Sequence, residues 1–382
     1  MKPDILHTQE GGRRTLVILP AVVLLLIVMT FPSNAQTPEP AQDKISINAD
    51  GVVHVPAQDV PVSSLLSPEG QKYMADHLRF MQDREAQVQV DGLPRYMKTY
   101  LDRQRVLYPV ERQDTKVAGV HVYRYTPKAG IDPKNRNRVL IDLHGGGFSG
   151  CWPGCAELES IPIAGSGRIE VVAVDYRQGP DYKFPAASED VEAVYQELLK
   201  THPAQNIGIY GCSAGGMLTA MSIAWFDKQK LPMPGAIGIF CAGVGGGMGG
   251  GDAAYTATPL GEMRMTRAMP PGGRGGAAGR GAAGGRGGYL AGTDPNDPLV
   301  SPGNSPQLLA KFPPTLMITA TRGMELSGAV YSHAQLVKAG VDARLNVFEG
   351  LFHGFFYNPD VPESQDCYAL IVKYFDRQLG KK

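Results

Sequence analysis

The stretch Asn206–Gly216 reads NIGIYGCSAGG, in which an apolar strand leads directly into a serine flanked by glycines. The next residues, MLTAMSIAWF, favour a helix, so the G-x-S-x-G pattern lies where a strand turns sharply into a helix. Small residues around Ser213 allow such a turn, which would present the Ser213 hydroxyl at the carboxyl edge of a sheet and at a helix N-terminus. We therefore predict that Ser213 is a nucleophile.

Apolar strands and helical segments alternate on both sides of this turn. Several strands are near-continuous apolar runs, as expected for strands covered on both faces. The pattern predicts an α/β fold with a mainly parallel sheet wrapped by helices. The predicted strands are HVYRYT, RVLIDL, IEVVAVDY, NIGIYG, AIGIFCA, TLMITA and RLNVFE.

A glycine-rich loop, His144-Gly145-Gly146-Gly147-Phe148, follows the predicted strand RVLIDL. Its backbone amides are not obstructed by side chains and can point at a developing oxyanion, which acyl transfer requires. We predict that Gly146, Gly147 and Ala214 form this oxyanion hole. His144 is expected to brace the loop rather than to transfer protons.

A serine nucleophile needs a base, and the chain has eight histidines. Only His353, in EGLFHGF, follows the last predicted strand on a glycine-flanked loop, where the order serine, acid, histidine places the base. The other histidines have ordinary surface or packing explanations. We therefore predict that His353 is the base.

Several motifs occur in an order that resembles one known family. They are HGGGF, DYRQGPDYKFPAASED (Asp175–Asp190), GCSAGG, DPLVSP (Asp297–Pro302), FPPTLMIT and EGLFHGF. Over about residues 115 to 380, the chain resembles the hormone-sensitive-lipase-like esterases of the α/β-hydrolase fold. The resemblance implies an eight-stranded sheet, a helical cap built largely from the N-terminal segment, and hydrolysis of short acyl or aryl esters. The family's nucleophile and base fall on Ser213 and His353, and its oxyanion loop on His144 to Gly147.

The chain departs from this family in TRGMEL, where Gly323 stands at the position of the usual catalytic aspartate. Glu325 is one candidate for the missing acid, since glutamate serves this role in some α/β-hydrolases. A bound water or no acid, and a different carboxylate, are the alternatives. The other carboxylates considered have simpler interpretations: Asp294 and Asp297 as turn and capping residues, Glu349 and Asp360 as solvated charges.

The first 35 residues have the pattern of a signal peptide or N-terminal anchor. Arg13 and Arg14 precede an apolar run, Leu16–Phe31, which is shorter than the roughly 20 residues that span a bilayer, and small residues follow up to Ala35. We expect export to the periplasm or medium with cleavage after Ala35, or membrane attachment if the segment is retained.

The remaining chain divides by composition into three parts. The composition predicts a linker or extended arm over residues 36–66, a helical cap segment over 67–114, and the hydrolase domain over 115–382. Within that domain, residues 243–288 carry Gly- and Arg-rich repeats. We interpret them as a flexible surface insertion rather than an RNA-binding segment, because the repeats are few and lack interleaved aromatic residues.

Charge and cysteine content narrow the possible ligands. The 37 basic residues balance the 37 acidic ones, which argues against nucleic acid and favours a small neutral ligand. Five cysteines are too few for a disulfide scaffold, and no Cys/His set completes a zinc site. Cys151 and Cys155 are expected either to form one disulfide or to be two semi-buried thiols. The sequence leaves the oligomeric state open.

The leading hypothesis is an exported serine hydrolase acting on small esters, without a metal or organic cofactor. The alternative hypothesis is a catalytically impaired hydrolase fold that binds a small apolar ligand. Gly323 favours this hypothesis, because it stands at the position of the usual catalytic aspartate. A surface protein that uses the Gly/Arg insertion is a third hypothesis, with little beyond that insertion to support it.

Overall fold

A computed structural model describes residues 44–245, 250–261 and 288–381. The predicted leader, residues 1–35, lies outside these residues, as does most of the insertion predicted at 243–288. The strands are β1 (Ser46–Ile47), β2 (Val53–His54), β3 (Gln89–Val90), β4 (Leu93–Pro94), β5 (Val110–Val117), β6 (Val120–Pro127), β7 (Val139–Leu143), β8 (Glu170–Val174), β9 (Ile207–Cys212), β10 (Ala236–Phe240), β11 (Thr315–Ala320) and β12 (Ala343–Phe348). The helices are α1 (Pro68–Phe80), α2 (Arg95–Leu107), α3 (Gly154–Gly167), α4 (Ala186–Leu199), α5 (Ala214–Gln229), α6 (Ala253–Thr256), α7 (Thr258–Gly261), α8 (Pro306–Leu309), α9 (Leu326–Lys338) and α10 (Pro362–Gln378).

The molecule is organised around an eight-stranded sheet in the order β12-β11-β10-β9-β7-β8-β6-β5. The strands from β12 to β8 run parallel, whereas β6 is antiparallel to both β8 and β5. This arrangement confirms the predicted fold class. The carboxyl ends of the parallel strands therefore meet along one edge, where the loops after β7, β9, β11 and β12 come together.

Helices cover both faces of the sheet, which explains why the central strands are apolar on both sides. Residues of α3 and α10 pack with Leu140 and Tyr210 in one core cluster. Residues of α4, α5 and α9 pack with Ile141, Ile209 and Ile239 in the other. Neighbouring residues of one strand therefore point into opposite cores.

All seven predicted strands occur, but the edge strand β5 was not predicted. Its sequence, VERQDTKV, is largely exposed and has no apolar run, so hydrophobic periodicity does not reveal it. The predicted boundary between the cap and the hydrolase domain, at residue 114, falls within β5. Helix α4 begins at Ala186.

The N-terminal part contains the two helices predicted for the cap segment. Helix α1 ends at Phe80 and α2 ends at Leu107. Residues 44–59 form a separate unit that contains the β1–β2 hairpin. Among the described residues, no helix has the length and apolar character needed to cross a membrane.

Candidate active site

Ser213 lies in the tight turn between β9 and α5, as the G-x-S-x-G pattern predicted. Its backbone has φ 59° and ψ −121°, a conformation that non-glycine residues rarely adopt. The Ser213 amide donates to the Phe240 carbonyl at 2.8 Å, and the Ser213 carbonyl accepts from Met217 in the first turn of α5. Ser213 is mostly buried, with only 7% of its surface exposed.

Gly215 is required because α5 passes very close to the end of β7. A Cβ placed on Gly215 would lie 1.6 Å from the Leu143 carbonyl oxygen, and one on Gly211 would lie 2.3 Å from the same atom. Any larger residue would push the helix away from the loop that follows β7. The glycines of the motif therefore hold the Ser213 turn against His144 and the residues after it.

The loop after β7 carries the predicted oxyanion donors. Gly146 has φ 116°, and a Cβ there would lie 2.2 Å from the Gly150 carbonyl oxygen, so this position needs glycine. Among the described residues, no backbone carbonyl accepts a hydrogen bond from the amides of Gly146, Gly147 or Ala214. That these three amides form an oxyanion hole stays a prediction.

His144 braces this loop, as predicted. Its ring stacks on Tyr176 with centroids 4.5 Å apart, and the Tyr176 hydroxyl donates to the His144 carbonyl at 2.6 Å. Burial lowers the pKa of His144 to about 4, so the ring stays neutral at neutral pH. A buried imidazole that is neutral at neutral pH suits support rather than proton transfer.

His353 and Glu325 are in direct contact. His353 Nδ1 lies 2.9 Å from Glu325 Oε2, and the Thr319 hydroxyl donates to Glu325 Oε1 at 2.8 Å. Glu325 is fully buried, whereas the His353 side chain keeps 14% of its exposure. One carboxylate oxygen thus orients the imidazole while the other is held by the end of β11.

The path of the chain explains how a glutamate two residues after the usual position reaches the histidine. The residues after β11 form a tight turn in which the Gly323 amide donates to the Ala320 carbonyl, and Glu325 immediately precedes α9. From there its side chain folds back over Gly323. A Cβ on Gly323 would lie 2.7 Å from Glu325 Oε1 and 2.9 Å from Oε2, so the glutamate carboxylate occupies the space beside a residue without a side chain.

The charge state of Glu325 fits this contact. Burial alone would raise the pKa of the carboxyl group, but the neighbouring His353 charge and the hydrogen bonds from His353 and Thr319 outweigh it and lower the pKa. Glu325 is therefore ionised at neutral pH and can stabilise an imidazolium.

The other carboxylates considered as the acid are engaged elsewhere, in agreement with the turn, capping and surface roles expected of them. Asp294 accepts from the Asn296 amide, Asp297 from the Leu299 amide, Glu349 from the Ser63 hydroxyl, and Asp360 pairs with Arg103.

Helix α1 lies beside the histidine loop. The His77 ring stacks on Phe352 with centroids 3.4 Å apart, and Tyr73 packs on the same ring at 5.0 Å. His77 Nε2 is 2.9 Å from the Gly261 carbonyl oxygen, which links α1 to the end of α7. The predicted cap segment therefore contacts the residue that precedes His353.

Cys241, Glu325 and His353 have donor atoms that all lie within 4.8 Å of one another, which is the spacing of a possible metal site. Glu325 and His353 are already paired, however, and Cys241 Sγ accepts from the Gly354 amide at 3.3 Å. We therefore interpret the cluster as part of the hydrolytic site rather than as a metal centre.

Two further features are a disulfide that the sequence left open and a buried glutamate that the sequence analysis did not predict. Cys151 and Cys155 are joined by a disulfide, which resolves the two alternatives left by the sequence. Glu159, on α3, has a buried carboxylate that accepts a hydrogen bond from the Gly145 amide. It lies in a run, AELESIP, that contains no motif, so no sequence signal identified it.

Comparisons with known proteins agree with this architecture. A family model described as the alpha/beta hydrolase fold matches residues 140–357, more than half of the chain. An acetyl-hydrolase of Streptomyces hygroscopicus is 28% identical over 246 residues, which are 64% of this chain and 77% of that protein. The carboxylesterase/phospholipase LipF of Mycobacterium tuberculosis is 28% identical over 239 residues, which are 59% of this chain and 58% of that protein.

Solved structures give the same result. The crystal structure of an esterase, E25, matches with a TM-score of 0.69 and 27% identity, over 85% of this chain and 98% of that one. An esterase from the bacterial hormone-sensitive lipase family has a TM-score of 0.65 at 22% identity and shares the fold over 82% of this chain and 99% of that one. The chain therefore belongs to the α/β-hydrolase fold family.

Proposed function

We propose that the protein is a serine esterase that hydrolyses small acyl or aryl esters through Ser213, His353 and Glu325. The observation that carries this proposal is the buried contact between Glu325 and His353, at 2.9 Å, on the same sheet edge as the strained turn of Ser213. Glu325 supplies the carboxylate that is missing at position 323. The alternative of an impaired hydrolase that only binds ligands loses its main support.

The mechanism follows from the positions of these groups. With Glu325 held at Nδ1, the His353 ring keeps Nε2 as the proton acceptor for the Ser213 hydroxyl. The serine oxygen then attacks the ester carbonyl, and the amides of Gly146, Gly147 and Ala214 stabilise the oxyanion. His353 returns the proton to the leaving alcohol, and water releases the acyl group by the same steps.

Two observations support small neutral esters as the substrate class. The chain has no net charge, so no global field favours a charged ligand. The relatives named above include an acetyl-hydrolase and a carboxylesterase/phospholipase. We therefore expect p-nitrophenyl acetate and butyrate to be cleaved faster than p-nitrophenyl palmitate.

The test is a comparison of Ser213→Ala with Ser222→Ala. Ser222 is a buried serine on α5 whose hydroxyl has no hydrogen-bond partner among the described residues, so it controls for loss of a buried serine. We expect ester hydrolysis to disappear in Ser213→Ala and to persist in Ser222→Ala. Equal activity in the two variants would exclude Ser213 as the nucleophile.

We also propose that the protein is exported. The leader pattern of residues 1–35 supports this, and so does the Cys151–Cys155 disulfide, because such bonds persist in oxidising compartments. Mass analysis of the protein from cell fractions is expected to show a chain that begins after Ala35 outside the cytoplasm. A full-length chain in the cytoplasm would contradict the proposal.

A further inference from the structure

Glu159 contacts three separate segments of the site through one buried carboxylate. Oε1 accepts from the Gly145 amide at 3.0 Å and from the Tyr357 hydroxyl at 2.8 Å. Oε2 accepts from the Cys212 amide at 3.3 Å. The residue is only 3% exposed.

Two of these donors adjoin a group of the proposed mechanism in sequence, and the third lies four residues after one. Gly145 precedes the oxyanion donor Gly146, and Cys212 precedes Ser213. Tyr357 ends the short helix that follows His353. A Cβ on Gly145 would lie 3.4 Å from Ser213 Cβ, so the oxyanion loop and the nucleophile turn are already in close approach where the carboxylate joins them.

Packing alone does not account for a carboxylate at this position. Burial raises the pKa of Glu159 to about 8, although the three hydrogen bonds oppose that rise. Among the described residues, no lysine or arginine pairs with it, whereas Glu157, on the same helix, pairs with Arg105 and Arg112. An apolar side chain generally costs less to bury than an ionisable carboxyl group without a cationic partner.

We propose that Glu159 is a positioning residue that fixes the oxyanion loop relative to the Ser213 turn. The inference rests on the serine-esterase function proposed above. Glu159 touches no reacting atom. It acts by holding the amides of Gly145 and Cys212 on one rigid acceptor, which sets the distance between the oxyanion donors and the nucleophile.

Glu159→Gln tests this directly. The glutamine oxygen can still accept from Gly145 and Tyr357, but its amide nitrogen then faces the Cys212 amide, and two donors oppose each other. We expect kcat to fall by about 10²-fold while KM changes less than about threefold, because the contact matters most when the oxyanion forms. A trifluoromethyl ketone, which forms a tetrahedral adduct with a serine nucleophile, is expected to bind weaker by a similar factor.

Glu157→Gln is the matched control, since it removes a buried carboxylate from the same helix away from the site. Both variants are assayed at pH 9, above the pKa of Glu159, together with Ser213→Ala. We expect Glu157→Gln to keep the kcat and ketone affinity of the native chain, even where its stability falls. If Glu159→Gln behaves like Glu157→Gln in both readouts, the positioning role is wrong.

Tyr357→Phe keeps the inference testable if Glu159→Gln does not fold. It removes one donor to Oε1, and we expect a several-fold loss of ketone affinity with little change in KM. Unchanged ketone affinity in Tyr357→Phe would then overturn the proposal. Activity that persists in Ser213→Ala would instead overturn the proposed function, so the two failures are distinguishable.

Discussion

Exchange of the acid between positions 323 and 325 gives the sharpest prediction of the proposed mechanism. In Glu325→Gln the amide oxygen can still accept from Thr319, so the amide nitrogen faces His353 Nδ1. A donor at that point makes Nδ1 the acceptor and puts the ring proton on Nε2, where it cannot accept from Ser213. We expect kcat to fall by about 10⁴, which corresponds to ~5 kcal/mol of barrier.

Gly323→Asp alone is expected to reduce activity rather than to improve it. The new Cβ would lie 2.7 Å from Glu325 Oε1, so the glutamate must move, and two carboxylates would then share one buried space. Glu325→Ala removes that conflict. We therefore expect Gly323→Asp with Glu325→Ala to be at least about tenfold more active than Glu325→Ala alone.

The assay is steady-state hydrolysis of p-nitrophenyl butyrate by the native chain and these variants. Glu349→Gln is the control, because Glu349 precedes the histidine loop and, within the described part of the chain, its side chain accepts a hydrogen bond only from the Ser63 hydroxyl. It is expected to leave kcat unchanged. A loss of less than tenfold in Glu325→Gln, or a gain in Gly323→Asp alone, would refute the assignment of the acid to Glu325.

Three further predictions concern the oxyanion loop, acid stability and the disulfide. Gly146→Ala is expected to lower kcat by about 10² to 10³, since its Cβ would collide with the Gly150 carbonyl and displace a donor; kinetics of a folded variant check this. The folded pKa of Glu325 lies below its ordinary value of 4.5, so its pairing stabilises the fold above that pH and is lost as the pH falls through the folded pKa. The difference in free energy of unfolding between the native chain and Glu325→Gln, measured by urea titration, is therefore expected to shrink below pH 4.5. Cys151→Ser with Cys155→Ser is expected to lower the free energy of unfolding by about 2 kcal/mol, the entropic value for so short a loop, and to abolish any effect of reductant.

The places of Ser213 and His353 in the fold were predictable from local sequence. The strand–turn–helix pattern predicted where Ser213 and the glycines around it lie. The glycine-flanked loop after the last strand predicted where His353 lies. Helix and strand periods likewise predicted the central sheet. In each case the signal lies within a few neighbouring residues.

The parts that depend on tertiary geometry were not. Whether Glu325 reaches His353 depends on how its side chain folds over Gly323, which no spacing rule specifies. Glu159 accepts hydrogen bonds from segments that are distant in sequence, and Tyr357 is its farthest donor. The edge strand β5 carries mostly exposed side chains, so its pairing with β6 leaves no apolar pattern.

The most direct test of the serine-esterase proposal is the site of covalent labelling by diethyl p-nitrophenyl phosphate, read by peptide mass spectrometry. We predict one diethylphosphoryl group per chain, on Ser213, with loss of ester hydrolysis in proportion to labelling. Full labelling at Ser213 without loss of activity, or loss of activity with the label on another residue, would contradict the account.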